Sequence, residues 1–397
     1  MNRSLAIAAA VLSLASVAAP AASFTPLGVI SSGATGDGSS ATGVSADGSV
    51  VVGTSWDSNR SNPKAFRWTS GVMSDLGSLP GGVAASASKV SADGSVVVGV
   101  SLADPVLYGT RTAYRSATSF RWAAGVMTGL WPASYAQGVS ADGTAVVGLA
   151  SGSAFRWTSA NGIDLIVAPR SIANSISADG SVVVGQHNGM LDQYGYYYAG
   201  EAFRWTGDDG TVGLGDLPGG VSVHSSARAA SADGAVVVGQ GRRIHESNGF
   251  YSGEAFRWTS DGGMVGLGDL AGGSLNSIAN DVSADGSIVV GQGNRMPSQN
   301  GFDVGEAFIW TADAGMQRLF DVLVARGATG LEGWTLTEAN GISADGNWVV
   351  GSGLNPFGVQ EAFRANLAVV PIPATGWLLG TSMFGLMIQL RRRRLLT

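Results

Sequence analysis

The chain has 397 residues, 45% of them apolar and 13% charged, with 60 glycines and no cysteine. That apolar share suffices for a packed core, and the missing cysteines exclude disulfides, thiolate chemistry and cysteine-based zinc sites. Without Arg3 and Arg391–Arg394 in the end segments, 18 basic residues stand against 29 acidic ones, a net of −11 that argues against a nucleic-acid partner.

Residues 1–22 carry Arg3, an apolar run from Leu5 to Val17, and small residues Ala18–Ala22 around Pro20. This order predicts a secretory signal peptide cut near Ala21 or Ala22, and hence export.

Residues 24–366 repeat one unit seven times. Each unit has a Ser-Ala-Asp-Gly turn, with aspartates at Asp47, Asp93, Asp142, Asp179, Asp233, Asp285 and Asp345. A Val-rich run follows, then an Ala-Phe-Arg-Trp-like run marked by Phe66, Phe120, Phe155, Phe203, Phe256, Phe308 and Phe363. A unit used seven times is read as architecture, because a catalytic centre occurs once.

Unit six displays the expected build. Ile278–Val282 alternates as a strand, and Ala284-Asp285-Gly286 is a tight turn with a capping aspartate and a glycine at positive φ. Ser287–Gly291 is a continuous β-branched run, as in a strand buried on both faces. Gly305–Thr311 and Met316–Leu319 supply the third and fourth strands. Four antiparallel strands per unit, repeated around a ring, predict an all-β, seven-bladed propeller.

The turn aspartates are 46, 49, 37, 54, 52 and 60 residues apart, too uneven for a solenoid but easily absorbed by propeller loops. The phase of the repeat also predicts closure. Pro26–Ser31 matches the fourth-strand segment Leu76–Pro80, whereas unit seven stops after Glu361–Arg364, so an N-terminal strand is expected to complete the last blade.

Repeated charged residues have structural readings. Arg67, Arg121, Arg156, Arg204, Arg257 and Arg364 recur beside the aromatics, with Ile309 in unit six, and suit struts better than a ring of anion donors. Each turn supplies one carboxylate, too few for calcium, so no metal and no cofactor is expected. Glu201, Glu254, Glu306 and Glu361 precede Ala-Phe in four units; two facing carboxylates could hydrolyse a glycosidic bond, but their repetition favours a strand-end role.

Function is expected where the repeat breaks, in excursions between second and third strands: Thr54–Lys64, Val100–Ser119, Gln186–Gly200, Gln240–Gly253, Gln292–Gly305 and Ser352–Val359. Unit three has almost none, only Leu149–Ser153. The candidate ligand residues are Tyr108 and Tyr114, then Tyr194, Tyr196, Tyr197 and Tyr198, and then Arg242, His245 and Tyr251. Aromatic faces beside polar groups suit sugar rings; the same tyrosines could instead pack the loops together.

The C-terminal segment, 369–397, contains Val370-Pro371-Ile372-Pro373-Ala374, an apolar stretch over 374–390, and Arg391, Arg392, Arg393 and Arg394. Seventeen residues make about 25 Å of helix, just enough for a single transmembrane span, and the arginines would hold that end in the cytoplasm.

The C-terminal order of Val-Pro-x-Pro, apolar helix and basic tail resembles the PEP-CTERM sorting signal of bacterial exopolysaccharide producers, with Ile372 where glutamate is common. That resemblance implies recognition and cutting by an exosortase-type membrane protease. It also implies residence at the inner membrane before processing, then at the cell surface or in the extracellular matrix. Ser91–Gly99, Glu254–Trp258 and Leu331–Trp334 with Ala339–Ser343 resemble the HAF family of bacterial extracellular repeats. This supports fold and export and brings no activity with it.

The expectation is therefore an exported, non-catalytic structural or binding propeller, with extracellular polysaccharide as a candidate partner. A propeller glycan hydrolase or lyase and a protein–protein adhesion scaffold are the alternatives.

Overall fold

The Val-Val-Val-Gly runs determine how this protein packs. In the computed structural model, which describes residues 22–30, 36–59, 62–108, 111–167, 169–188, 190–191, 197–198, 200–218, 224–244, 251–272, 276–296 and 304–368, each run is the second strand of a four-stranded antiparallel blade. Val50 and Val52 pack towards blade two, with Ala85, Ala87, Val97 and Phe120, whereas Val51 packs towards blade seven, with Val350 and Ala362. The core thus lies between blades, so both faces of the strand are buried and the run is continuously apolar. Burying these valines, none more than 4% exposed, and the seven phenylalanines, each at 0%, supplies the main driving force of the fold.

Blade one comprises Gly38–Val44, Val50–Trp56, Lys64–Thr69 and Val72–Asp75, in that order from the inside out. The first strands of blades two to six are Ala84–Val90, Ser134–Val139, Ile172–Ile176, Ser226–Ala230 and Ile278–Val282. Their fourth strands are Val126–Pro132, Gly162–Leu165, Gly210–Gly213, Gly263–Gly266 and Gly315–Arg318. Blade seven comprises Thr335–Ile342, Trp348–Leu354 and Gln360–Asn366, with the N-terminal strand Ser23–Gly28 as its outermost member. Closure by the N-terminus is as expected; the paired segment, Ser23–Gly28, begins three residues before Pro26–Ser31 and overlaps it at Pro26–Gly28. Leu27-Gly28 matches Leu76-Gly77, and both glycines are left-handed (φ +79° and +76°) at the strand's end: Gly28 is the last paired residue, after a bulge, and Gly77 lies just beyond the last pair at Asp75.

One glycine is obligatory within each second strand. A Cβ on Gly53 would lie 2.0 Å from the Ser40 carbonyl oxygen and 2.8 Å from the Phe66 ring, and Gly291 meets the same restriction from Ile278 and Phe308. The third-strand phenylalanine fills the space that a side chain there would need.

Hydrogen bonds join the blades at several levels. On the turn face the Ala46 amide donates to the Ala92 carbonyl at 2.9 Å, and Ala92, Ala141, Ala178, Ala232 and Ala284 each donate likewise to the next blade. At the inner bulges, Thr42, Asn174, Asn280 and Asn340 donate to Ala87, Ala227, Ala339 and Ala41 carbonyls of the following blade. Across the ring, Lys89 of blade two meets Asp281 of blade six at 2.8 Å.

The sixth junction is built differently. A short helix, Leu319–Ala325, follows the fourth strand of blade six; the strand expected to end at Leu319 ends at Arg318. Leu319, Val322 and Leu323 pack with Ile309, Phe24, Trp334 and Phe363, and Phe24 sits edge-on to Trp334 at 5.1 Å. Ile309 is therefore part of an apolar cluster at the one junction without the repeat arginine.

The sequence expectations for 1–21 and 369–397, including the helix at 374–390 and the motif residues Val370, Pro371, Pro373, Ala374 and Arg391–Arg394, lie outside the described residues. Among the described residues no helix is long and apolar enough to cross a membrane.

Candidate functional site

The repeated charged groups are engaged within the scaffold. Arg67, Arg121, Arg156, Arg204, Arg257 and Arg364 each donate to the carbonyl of the turn glycine in the next blade, at 2.7–3.3 Å. Arg364 closes this series on Gly48 of blade one and lies between the Trp68 and Trp348 rings, 4.6 and 4.2 Å from their centroids. They are struts between blades, and their acceptors are glycine carbonyls rather than turn aspartates.

Each turn aspartate organises its own hairpin. Asp93 accepts the Ser91 hydroxyl at 2.6 Å and the Ser95 amide at 3.0 Å, while the Ser91 hydroxyl oxygen accepts the Val96 amide. The Ser45, Ser91 and Ser177 hydroxyl bonds, followed by those from Ser49, Ser95 and Ser181, lower Asp47, Asp93 and Asp179 to about 2. Asp142, Asp233 and Asp285 are lowered by the same hydroxyl bonds; at Asp345 burial acts upward, but bonds from Ser343 and Asn347 outweigh it.

The glutamates before Ala-Phe are strand-end braces. Glu201, Glu254 and Glu361 accept the amides of Gly215, Gly268 and Gly28 at 3.0–3.1 Å, so Glu361 also ties the N-terminal strand into blade seven. Glu306 instead accepts from Arg318 at 2.9 Å and from Asn294.

The opposite face carries the second-to-third hairpins and the connections between blades. Several excursions are extended β-ladders rather than irregular loops. In blade two the strands Val96–Tyr108 and Arg111–Ala123 pair continuously to Tyr108 and Arg111, and in blade five Val236–Ile244 pairs with Tyr251–Thr259. Blade four adds a two-stranded ladder, Met190–Leu191 with Tyr197–Tyr198. Blade three turns at once, with Ala150 opposite Ser153. The result is a crown of unequal height.

Of the sequence-predicted ligand residues, Tyr114 stands opposite Pro105 on the blade-two hairpin. Burial, and then the Asp57 carboxylate of the blade-one excursion, push its phenol above the usual range. Arg242 donates to Nδ1 of His224 at 2.6 Å and its amide donates to Asp216, so it anchors the connection between blades four and five. Burial, then the adjacent Arg242, keep His224 below its usual pKa. Tyr108, Tyr197, Tyr198 and Tyr251 have described backbones at strand ends; their side chains, and Tyr194, Tyr196 and His245 altogether, lie outside the described residues.

Sequence reasoning missed the concave surface beside the helix. A cleft of about 460 Å³ lies between Leu270, Met316 and Val322, and a second of about 240 Å³ between Glu306, Phe320 and Trp334; Arg318 and Asp321 line both. The apolar spacing Leu319, Val322, Leu323 was the readable signal for that helix. Among the described residues no group of three His, Asp or Glu side chains could hold a metal ion.

No protein-family model matches this sequence, and no curated protein matches it. Solved structures share its fold. The β-propeller domain of the Trilobed protease from Pyrococcus furiosus, described by an open velcro topology, is 12% identical with a TM-score of 0.50 over 84% of this chain and 96% of that one. An acylaminoacyl peptidase in complex with Z-Gly-Gly-Phe-chloromethyl ketone gives 12% and 0.50 over 83% of this chain and 51% of that one. TolB from Acinetobacter baumannii gives 16% and 0.37 over 56% and 52%. This chain thus spans about half the length of the latter two proteins. At these identities the likeness is one of fold, and the fold is a propeller.

Proposed function

We propose that this protein is an exported, non-catalytic binding and structural component of the cell surface or exopolysaccharide matrix, delivered by its signal peptide and processed at its C-terminal segment by an exosortase-type protease. The observation that carries the reading is the division of labour between the repeated charged residues and those that vary. Every repeated arginine, and the glutamates Glu201, Glu254 and Glu361, bond to backbone within the ring, so they are placed to brace blades rather than to act on a substrate. The described residues that vary, Tyr114 and Arg242 among them, lie on the hairpins and connections of the face opposite the turns, where a rigid ring can hold them for recognition. The braced glutamates also weigh against the glycan hydrolase or lyase alternative.

Two measurements test this reading. Cell fractionation should find the full chain at the surface or in the matrix, and removal of residues 369–397 should release it to the medium. The purified full chain in detergent should sediment with matrix polysaccharide without shortening it. Release of oligosaccharides would favour the hydrolase or lyase, and sedimentation only with matrix proteins would favour the adhesion scaffold.

A further inference from the structure

One aromatic side chain stands clear of the ring. Phe357, at the tip of the second-to-third hairpin of blade seven, is 89% exposed, the highest value among the exposed large apolar residues described. Leu354, where the turn begins, is 37% exposed. The tip is held in one conformation. The Asn355 carboxamide oxygen accepts the Phe357 and Val359 amides at 3.0 and 3.1 Å, and its Nδ2 donates to Glu361 at 3.0 Å. The Gly358 amide donates to the Asn355 carbonyl at 2.8 Å, with Gly358 at the positive φ (+73°) that the turn requires. A second turn, closed by the Trp334 amide on the Leu331 carbonyl, packs against Pro356, since a Cβ on Gly333 would lie 3.2 Å from Pro356 Cβ. Exposed Glu332 belongs to that second turn. A large apolar ring on a braced tip loses little freedom when it is buried, which is the property of an interface anchor.

The cleft of about 460 Å³ beside the helix is the matching concavity. Leu270, Met316, Val322 and Ala325 give it an apolar lining. Of its charged residues, Arg318 is held by Glu306 at 2.9 Å and has Asp321 close by. Arg326, at the C-terminal end of the helix, bonds the Leu367 carbonyl at 2.6 Å, a neutral partner that does not compensate its charge. The cleft thus presents an apolar interior with a cation at one end, and the hairpin presents a phenyl ring with a carboxylate beside it. The helix and Leu270–Ala271 belong to connections that follow fourth strands, so cleft and hairpin lie at the same end of the blades. Phe357, being exposed, does not occupy the cleft of its own chain.

We propose that the two features meet between copies of this chain: Phe357 of one copy enters the cleft between Leu270, Met316 and Val322 of a second copy, and Glu332 of the first faces Arg326 of the second. Knob and cleft sit on neighbouring blades and at the same end of them, so a two-fold axis forms both insertions at once and the contact closes as a dimer.

Sedimentation equilibrium of the full chain in detergent tests it, and a dimer is expected. Phe357→Ala, and Ala325→Trp, which fills the cleft, should each raise the dissociation constant about tenfold or more without moving the melting temperature, whereas Phe357→Leu should keep most of the affinity. Val72→Ala, at a 59% exposed residue on the edge of blade one, should change nothing. Because the chain has no cysteine, a cross-link reads the pairing directly: Pro356→Cys copies mixed with Ala325→Cys copies should give a disulfide-linked dimer that neither variant gives alone. A chain that stays monomeric at every concentration overturns the proposal. So does a dimer that survives Phe357→Ala and yields no cross-link, because another surface, residues 369–397 included, then forms it. Phe357-dependent association that grows beyond two copies overturns the two-fold closure and makes the contact head-to-tail.

Discussion

Six blade junctions carry an arginine to a glycine carbonyl, and the junction between blades six and seven carries Ile309 with a helix packed against it. In the first arrangement a long side chain spans the gap and satisfies a carbonyl that the turn leaves free. In the second, Leu319, Val322 and Leu323 fill the space with apolar volume, together with Phe24 from the N-terminal strand. The two solutions are not equivalent in reach. The arginine junctions are local and interchangeable, whereas the helix joins blade six, blade seven and the N-terminus in one cluster. Ring closure is therefore concentrated at the place where the repeat is broken.

The largest effect should come from attacking that cluster. Removing Ser23–Gly28 exposes the Gln360–Asn366 edge, takes Phe24 from Trp334 and Phe363, and deprives Glu361 of the Gly28 amide. Loss of the cooperative melt and aggregation are expected, and Phe24→Ala alone should cost about 3–5 kcal/mol by denaturant titration. An unchanged melt after the deletion would show that the ring holds without its N-terminal strand.

A collective effect is expected on the turn face. All seven turn aspartates have lowered pKa values, so in the folded protein they stay ionised to lower pH than in the unfolded chain. Their contribution is complete above the unfolded value near 4 and is lost as pH falls through the folded values, about 2 at Asp47, Asp93 and Asp179. Melting temperature should therefore drop between pH 4 and 2, and less steeply in an Asp93→Asn/Asp179→Asn variant. A flat profile over that window would mean that these bonds contribute nothing to stability.

Blade number, turn chemistry and closure were legible because they rest on short-range pattern: a fixed turn, a run of β-branched residues and the phase of the repeat at the two ends. The arginine acceptors were not, because each lies one blade further on. The fourth-strand match fell late because Leu-Gly marks the end of the strand, where pairing stops at Gly28 in one copy and at Asp75 in the other. Arg242 stood out as a ligand residue by composition, but its neighbour in space is His224, which only the folded connection brings to it.

The smallest effects should come from exchanging the two kinds of junction, and they bear most directly on whether the junctions differ. Arg257→Ile removes one donor from the Gly286 carbonyl, and the cost should be about 1 kcal/mol, that of a single partly buried hydrogen bond. Ile309→Arg places a charge in the cluster of Leu319, Val322 and Leu323, where Ile309 is 5% exposed, and should cost about 3 kcal/mol, because a buried charge needs a partner. The asymmetry is the decisive quantity. If the two substitutions cost the same, the Gly346 carbonyl of blade seven accepts the new arginine as the other turn glycines do, and the helix is an addition to a uniform ring. If Ile309→Arg is the costlier, the helix cluster has replaced the strut, and the sixth junction can no longer return to the repeat.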